Sequence, residues 1–134
     1  MASRMLLQSM KFTGALPCEN IGQARRGWFV YVIQLPRGVD RDAVVTQLGA
    51  RGVAAKPYFP AIHLMSYYRK EFGYREGQFP VCEDVAARSI AIPFFPQMTE
   101  AQVARVGEAL RAVLAAAGRA TVVGDGRWYR IAGF

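Results

Sequence analysis

The chain has 134 residues, of which 52% are hydrophobic and 20% are charged, and its formal net charge is +7. This length and composition are typical of one globular domain with a single hydrophobic core, and they exclude a disordered segment. No apolar run approaches the length of a membrane-spanning helix, and residues 1–12 lack the apolar core and cleavage site of a signal peptide.

The basic residues and the cysteines bear on possible partners. Only Lys11, Lys56 and Lys70 are lysines, and the arginines that supply the remaining positive charge are scattered along the chain. Because no basic helix face or nucleic-acid-binding motif accompanies them, a solvated surface is favoured over nucleic-acid binding. Cys18 and Cys82 lie far apart and in no metal-ligand or redox spacing. We therefore expect a reduced, cytoplasmic protein without a metal site.

The first half of the chain predicts a strand, a helix and a second strand. The opening twenty residues have no clean period and are expected to be weakly structured. The β-branched and aromatic run Trp28–Leu35 predicts a strand. Asp40 can cap a helix that runs to about Ala50, with Gly52 as its C-terminal stop. Val53–Lys56 then predicts a short second strand.

The second half predicts three helices and another strand. Ser66–Phe72 is expected to form a short helix closed by glycine, and Pro80 can open a further helix over Val81–Arg88. Ser89–Ile92 is a short apolar strand. A capping box starts the last helix, Thr99–Ala117. The tail after residue 118 has a Gly-Asp-Gly turn between two β-like runs, which indicates a hairpin. Together these elements predict a small α/β or α+β domain.

Lys56–Tyr68, with sequence KPYFPAIHLMSYY, is the most informative segment of the chain. It contains four aromatic residues, two prolines and the protein's only histidine, and we expect it not to form a regular helix or strand. A stiff aromatic loop with polar groups is a candidate binding element.

The residues alone do not indicate self-contained catalysis. His63 could act as a general base, but no aspartate or glutamate lies close to it in sequence to orient it. A hydrogen-bonded structural histidine is therefore the favoured interpretation. Arg69, Lys70 and Arg75 could receive a diphosphate, although a solvated charged face explains them equally well.

Several ordered motifs between about Leu16 and Ala116 resemble the C-terminal small domain of the DegT/StrS family, the fold-type I sugar aminotransferases that use pyridoxal phosphate. The matching motifs are the Y-F-P-x-I-H loop at Tyr58–His63, the aromatic pair Tyr67–Tyr68, F-P-V-x-E-x-V-A-x-R at Phe79–Arg88 and the I-P-F-F-P-x-M-T-E corner before the last helix. The resemblance covers most of the chain but only about the last third of such an enzyme.

The resemblance implies a small, few-stranded, mainly antiparallel sheet packed with helices. In the family the large N-terminal domain provides the Schiff-base lysine and the rest of the cofactor site. No lysine here has that context, so we expect this chain alone to bind no pyridoxal phosphate, to hold no catalytic residue and to be inactive. The small domain would instead border a nucleotide-sugar cleft and contribute to a homo-oligomer or pack on a large domain.

The same resemblance gives each candidate residue a role. His63 would hydrogen-bond the sugar or lie beside the cofactor adduct, while Tyr58 and Tyr67 or Tyr68 would shape the pocket. Arg69 and Arg75 are possible phosphate contacts. Residues 1–15 depart from the family pattern as an atypical leader, residues 16–117 form the small domain, and residues 118–134 are an extra tail. Leader and tail together suggest a separately encoded or truncated reading frame.

Three hypotheses from different classes follow. The first is a small domain of a sugar aminotransferase that is silent alone. The second is a ligand-binding or protein-interaction module that kept the fold for another partner. The third is a nucleic-acid binder, which only the net charge supports.

Overall fold

A computed structural model describes residues 14–17, 27 and 29–118 of the chain. In chain order, the elements are β1 (Leu16–Pro17), β2 (Tyr31–Gln34), α1 (Arg41–Ala50), β3 (Lys56–Pro57), a 3-10 helix (Ile62–Leu64), α2 (Ser66–Phe72), α3 (Pro80–Arg88), β4 (Ser89–Ile92) and α4 (Glu100–Gly118). The predicted hairpin in the tail and the weakly structured start of the chain lie largely outside the described residues.

The strands form one antiparallel sheet in the order β1-β2-β4-β3. In the central pair, Tyr31 lies opposite Ile92 and Ile33 lies opposite Ile90. Both residues of each pair are buried, so this face of the sheet belongs to the core. The small antiparallel sheet with helices is the fold that the sequence resemblance implied, and the prediction of fold class is confirmed.

Helices α1 and α4 supply the helical half of the core. Val44 and Leu48 of α1 are buried, and so is one stripe of α4, at the spacing expected for an amphipathic helix. These residues and the inward face of β2 and β4 form a single hydrophobic cluster; the α4 members are Val103, Val106, Ala109, Leu110, Val113 and Leu114.

The predicted helix boundaries are confirmed by the hydrogen bonds at their ends. Asp40 Oδ1 accepts from the N–H groups of Asp42 and Ala43 at 2.9 and 3.0 Å. At α4, Thr99 N donates to Gln102 Oε1 at 2.9 Å and Gln102 N donates to Thr99 Oγ1 at 3.3 Å, which is a capping box. Gly73 ends α2 with a φ of +68°, a left-handed conformation that favours glycine.

Two predicted boundaries differ from the structure. The strand expected at Val53–Lys56 is wrong in its bounds, because pairing with β4 covers only Lys56 and Pro57. This strand lies at the edge of the sheet, where a proline without an N–H group is tolerated. The first strand is likewise shorter than predicted, since only Tyr31–Gln34 pair with β4.

The segment Lys56–Tyr68 is not one regular helix or strand, as expected from its two prolines. It begins in β3, continues through the 3-10 helix and ends in the first turn of α2. Within the described residues, no helix is both long enough and apolar enough to cross a membrane.

Core packing can be tested with the same substitution at two helical positions. Val113 in α4 is fully buried, whereas Val81 in α3 is 71% exposed. We expect Val113→Ala to lower the free energy of unfolding by roughly 1–3 kcal/mol, because it removes buried methyl groups and leaves a cavity. Val81→Ala should stay within about 0.5 kcal/mol of wild type. Urea denaturation of both variants measures the difference, and equal effects would contradict the assignment of the core.

Candidate functional site

His63 lies in the 3-10 helix that follows the aromatic segment, and its side chain is only 8% exposed. Its Nε2 atom is 3.0 Å from Oε1 of Glu83 in α3. The histidine is therefore a largely buried group with a carboxylate partner. This geometry agrees with the hydrogen-bonded structural histidine favoured from the sequence.

The Glu83 carboxylate is a common acceptor for several donors. Gly77 N–H donates to both of its oxygens, at 3.0 and 2.9 Å, and Phe79 N–H donates to Oε1 at 3.2 Å. These backbone bonds, that from Gly77 above all, together with His63, hold the pKa of Glu83 below its ordinary value. One side chain thus ties α3 to the preceding loop and to the histidine.

Sequence reasoning missed Glu83 as the partner of His63. No acidic residue is near His63 in sequence, and the structure brings one to it from 20 residues away. The available signal was Glu83 in the first turn of a helix that Pro80 opens, after a loop containing Gly77. That signal predicts a carboxylate near a helix N-terminus, but not which side chain it meets.

Beside His63, five aromatic side chains form a continuous series of ring contacts, called here the aromatic cluster: Tyr67, Tyr68, Phe72, Tyr74 and Phe79. Successive ring centroids are 5.4, 6.1, 5.7 and 5.6 Å apart, and the Phe79 ring lies edge-on to His63 at 4.8 Å. The three members on α2 are exposed, and that helix buries no residue. The cluster therefore runs from the buried histidine to an open aromatic surface.

Of the predicted pocket residues, the structure brings Tyr67, Tyr68 and His63 together through this cluster. Tyr58 lies outside it and pairs instead with Phe59, at a centroid distance of 4.6 Å. Phe59 has a φ of +35°, an unfavourable value for a residue with a side chain, and its ring is exposed. Strained backbone of this kind is more frequent at binding sites than elsewhere.

The predicted phosphate contacts, Arg69 and Arg75, are exposed. Arg69 lies on α2 with Tyr67 and Tyr68, and Arg75 follows Tyr74 in the next loop. Among the described residues, neither guanidinium makes an ion pair or a hydrogen bond. Both charges are available to an anion, although nothing in the geometry directs them to a common point.

An open groove of about 240 Å³ lies beside Glu83. Arg41, Glu76 and Glu83 line it together with apolar side chains from the 3-10 helix region and α3. Arg41 Nη1 donates to the Ala86 carbonyl at 3.0 Å, so part of its hydrogen-bonding capacity is already used.

A second set of polar contacts fastens α3 to the sheet. Arg88 binds Asp84 through two hydrogen bonds of 3.0 and 2.7 Å, and its Nη1 donates to the Leu35 carbonyl at 2.6 Å. Arg37 adds an ion pair to Asp84 at 3.3 Å. Arg88, and more weakly Arg37, lowers the pKa of Asp84. Two residues of the F-P-V-x-E-x-V-A-x-R motif therefore connect α3 to its surroundings. Glu83 connects it to His63 and the preceding loop, and Arg88 connects it to the end of β2.

The residues described do not fit pyridoxal phosphate. A Schiff base needs a lysine directed into an enclosed site, whereas Lys56 at the sheet edge and Lys70 on α2 are both exposed. No lysine lines the groove beside Glu83. In residues 14–17, 27 and 29–118 there is also no group of three or more histidine, cysteine or acidic side chains placed to hold a metal ion.

Comparison with known proteins gives one family. Residues 4–111 match the DegT/DnrJ/EryC1/StrS aminotransferase family. The chain is 32% identical over 94 residues to the spore coat polysaccharide biosynthesis protein SpsC of Bacillus subtilis, covering 67% of this chain and 24% of SpsC. It is 36% identical over 75 residues to a UDP-N-acetyl-3-dehydro-α-D-glucosamine 3-aminotransferase of Acidithiobacillus ferrooxidans, covering 55% of this chain and 20% of that enzyme.

A solved structure shows the same fold at low identity. Spr1654 of Streptococcus pneumoniae, a candidate sugar aminotransferase solved in its pyridoxal-phosphate form, superposes with a TM-score of 0.79 at 13% identity. The superposition covers 87% of this chain and 30% of Spr1654. The chain thus spans about a fifth to a third of the length of these proteins.

The Glu83 contacts predict a specific sensitivity to acid. Because the folded-state pKa lies below the ordinary value of 4.5, this stabilisation is complete above about pH 4.5 and is lost as the pH falls through the folded-state pKa. Glu83→Gln should remove the contribution of Glu83 to the pH dependence of the free energy of unfolding, while the contribution of Asp84 remains. Urea unfolding between pH 7 and roughly pH 3 measures this free energy for wild type and variant.

Glu76→Gln is the matched control for this experiment, because Glu76 lines the same groove but makes none of these bonds. It should leave the Glu83-dependent part of the acid sensitivity in place. An unchanged acid profile in Glu83→Gln would show that the carboxylate contacts do not stabilise the fold.

Proposed function

Because the chain belongs to the DegT/DnrJ/EryC1/StrS aminotransferase family, we propose that it acts as the C-terminal small domain of a nucleotide-sugar aminotransferase that uses pyridoxal phosphate. In this role it forms one wall of the substrate cleft. The observation that carries the proposal is the aromatic cluster, which is exposed on α2 and ends at His63.

The chemistry of a sugar nucleotide suits such a surface. Sugar-binding sites combine rigid apolar or aromatic walls with a few polar groups that fix orientation. Here Tyr67 and Tyr68 provide the wall, His63 provides a polar group at its inner end, and Arg69 and Arg75 provide positive charge for the diphosphate. Tyr58 would contribute from the neighbouring loop.

The reaction itself requires residues outside this segment. When bound, pyridoxal phosphate supplies the electron sink for amino-group transfer. The proposed role of this segment is to bind and orient the sugar and to cover the site, and we propose that it is inactive alone. Residues 16–117 are proposed as the domain, residues 1–15 and 118–134 as an atypical leader and an extra tail, and the cytoplasm as its location.

The exposed aromatic surface also supports a protein partner. Large apolar surfaces of this kind usually contact another protein. A large aminotransferase domain or a second copy of the chain would cover the open side of α2, and we propose these as the partners. A module that kept the fold for a different ligand or partner is the alternative, and it predicts no response to sugar nucleotides.

Direct titration distinguishes the two functions. We expect UDP-N-acetylglucosamine or dTDP-glucose to bind saturably to the purified chain, with a Kd on the order of 1 mM because only one wall of the cleft is present. Tyr67→Ala and His63→Ala should each weaken binding several-fold, measured by NMR titration. Phe29→Ala, at an exposed aromatic residue outside the aromatic cluster, is the control. Binding that is absent, or equal in all variants, would favour the alternative.

Cofactor trapping tests whether the segment is inactive alone. We expect an equimolar amount of pyridoxal phosphate to give no stable aldimine absorbance, and borohydride reduction to label no single lysine stoichiometrically. Lys56→Arg and Lys70→Arg identify any background labelling of exposed amines by mass spectrometry. Stoichiometric labelling at one of these lysines, or transamination by the purified chain, would refute the proposal.

A further inference from the structure

The contact between Glu83 and His63 determines which hydrogen bond the histidine can offer to a ligand. Oε1 of Glu83 accepts from Gly77 and Phe79 as well as facing Nε2 of His63. An ionised carboxylate only accepts hydrogen bonds. The hydrogen between the two side chains must therefore be carried by Nε2.

A neutral imidazole carries one proton, so a proton on Nε2 leaves Nδ1 with a free lone pair. In the described part of the chain, Nδ1 has no hydrogen-bond partner. The rings of Phe79 and Tyr74 lie edge-on to the imidazole at 4.8 and 6.3 Å and restrict its rotation. The ring is thus held with the lone pair of Nδ1 unused among the described residues.

We propose that Glu83 is a positioning residue, which keeps the proton of His63 on Nε2 so that Nδ1 accepts a hydrogen bond from a hydroxyl or amino group of the ligand. The identity of the ligand rests on the proposed function, whereas the protonation of the ring does not. Phosphate and carboxylate oxygens are acceptors and cannot make this bond. In its neutral form the histidine therefore selects the sugar part of a nucleotide sugar, and contacts to its phosphates fall to other residues.

The protonation of His63 can be measured without any ligand, because it is the only histidine in the chain. At alkaline pH, nitrogen-15 NMR of the ring should show a single neutral tautomer with the proton on Nε2. Glu83→Ala removes the acceptor that faces Nε2, whereas glutamine would retain an amide oxygen for Gly77, Phe79 and Nε2. We therefore expect the population with the proton on Nδ1 to rise several-fold in Glu83→Ala. A merely structural role of Glu83 would not change the tautomer.

Glu76→Ala is the matched control, because Glu76 lines the same groove and makes no bond to His63. It should give the wild-type ring spectrum. A wild-type ring with its proton on Nδ1, or a Glu83→Ala ring with unchanged tautomer, would overturn the proposal. If Glu83→Ala does not fold, the wild-type tautomer alone decides.

The ligand part is tested with UDP-N-acetylglucosamine and two amide variants of the histidine. The asparagine amide of His63→Asn lies near the position of Nδ1, and the glutamine amide of His63→Gln lies near the position of Nε2. We expect His63→Asn to keep most of the binding and His63→Gln to weaken it about tenfold, equivalent to about 1.4 kcal/mol.

Tighter binding of the probe by His63→Gln than by His63→Asn would overturn the acceptor role of Nδ1. If the probe does not bind the wild type at all, the proposed function fails, and the tautomer measurement still decides the role of Glu83. A wild type that binds the probe but carries its proton on Nδ1 would retain the proposed function and reject the inference.

Discussion

The carboxylate of Glu83 is the interaction on which the shape of the candidate site depends. It connects the first turn of α3, the loop that holds Gly77 and Phe79, and the histidine of the 3-10 helix. These parts of the chain share few other polar contacts among the described residues. The ionised carboxylate accepts from two backbone N–H groups and faces Nε2 of the largely buried His63 at once. The position of the histidine therefore depends on the protonation of one acid.

The aromatic surface is stabilised differently from the core. The core consists of aliphatic residues of the sheet, α1 and α4 packed in one cluster. Helix α2 contributes no buried residue, and its aromatic rings pack mainly on one another and on the loop that follows. An exposed helix of seven residues is too short to be stable alone in water. Its position must come from the connections at its two ends, namely the 3-10 helix and the loop held by Glu83.

The parts of this fold that were predictable from sequence are those that local chemistry determines. Gly73, Pro80 and the capping box at Thr99 mark helix ends through backbone geometry and nearby hydrogen bonds, and the structure confirms those ends. The pairing of His63 with Glu83, and of Arg88 with the Leu35 carbonyl, joins residues 20 and 53 positions apart. No periodic pattern in the sequence indicates either of these contacts. The bounds of β3 could not be predicted for a similar reason, since a strand exists only where its partner strand supplies hydrogen bonds.

Helix α3 explains how an open half-site can keep its shape. On one side, Arg88 and Asp84 fasten the helix to the end of β2, where the Leu35 carbonyl accepts from the guanidinium. On the other side, Glu83 holds the histidine and the loop that leads to the aromatic cluster. The rigidity of the sheet thus reaches the cluster through two neighbouring acidic residues of one helix. A surface held in this way is organised before any partner covers it, and less ordering free energy must be spent when a ligand or a second domain binds.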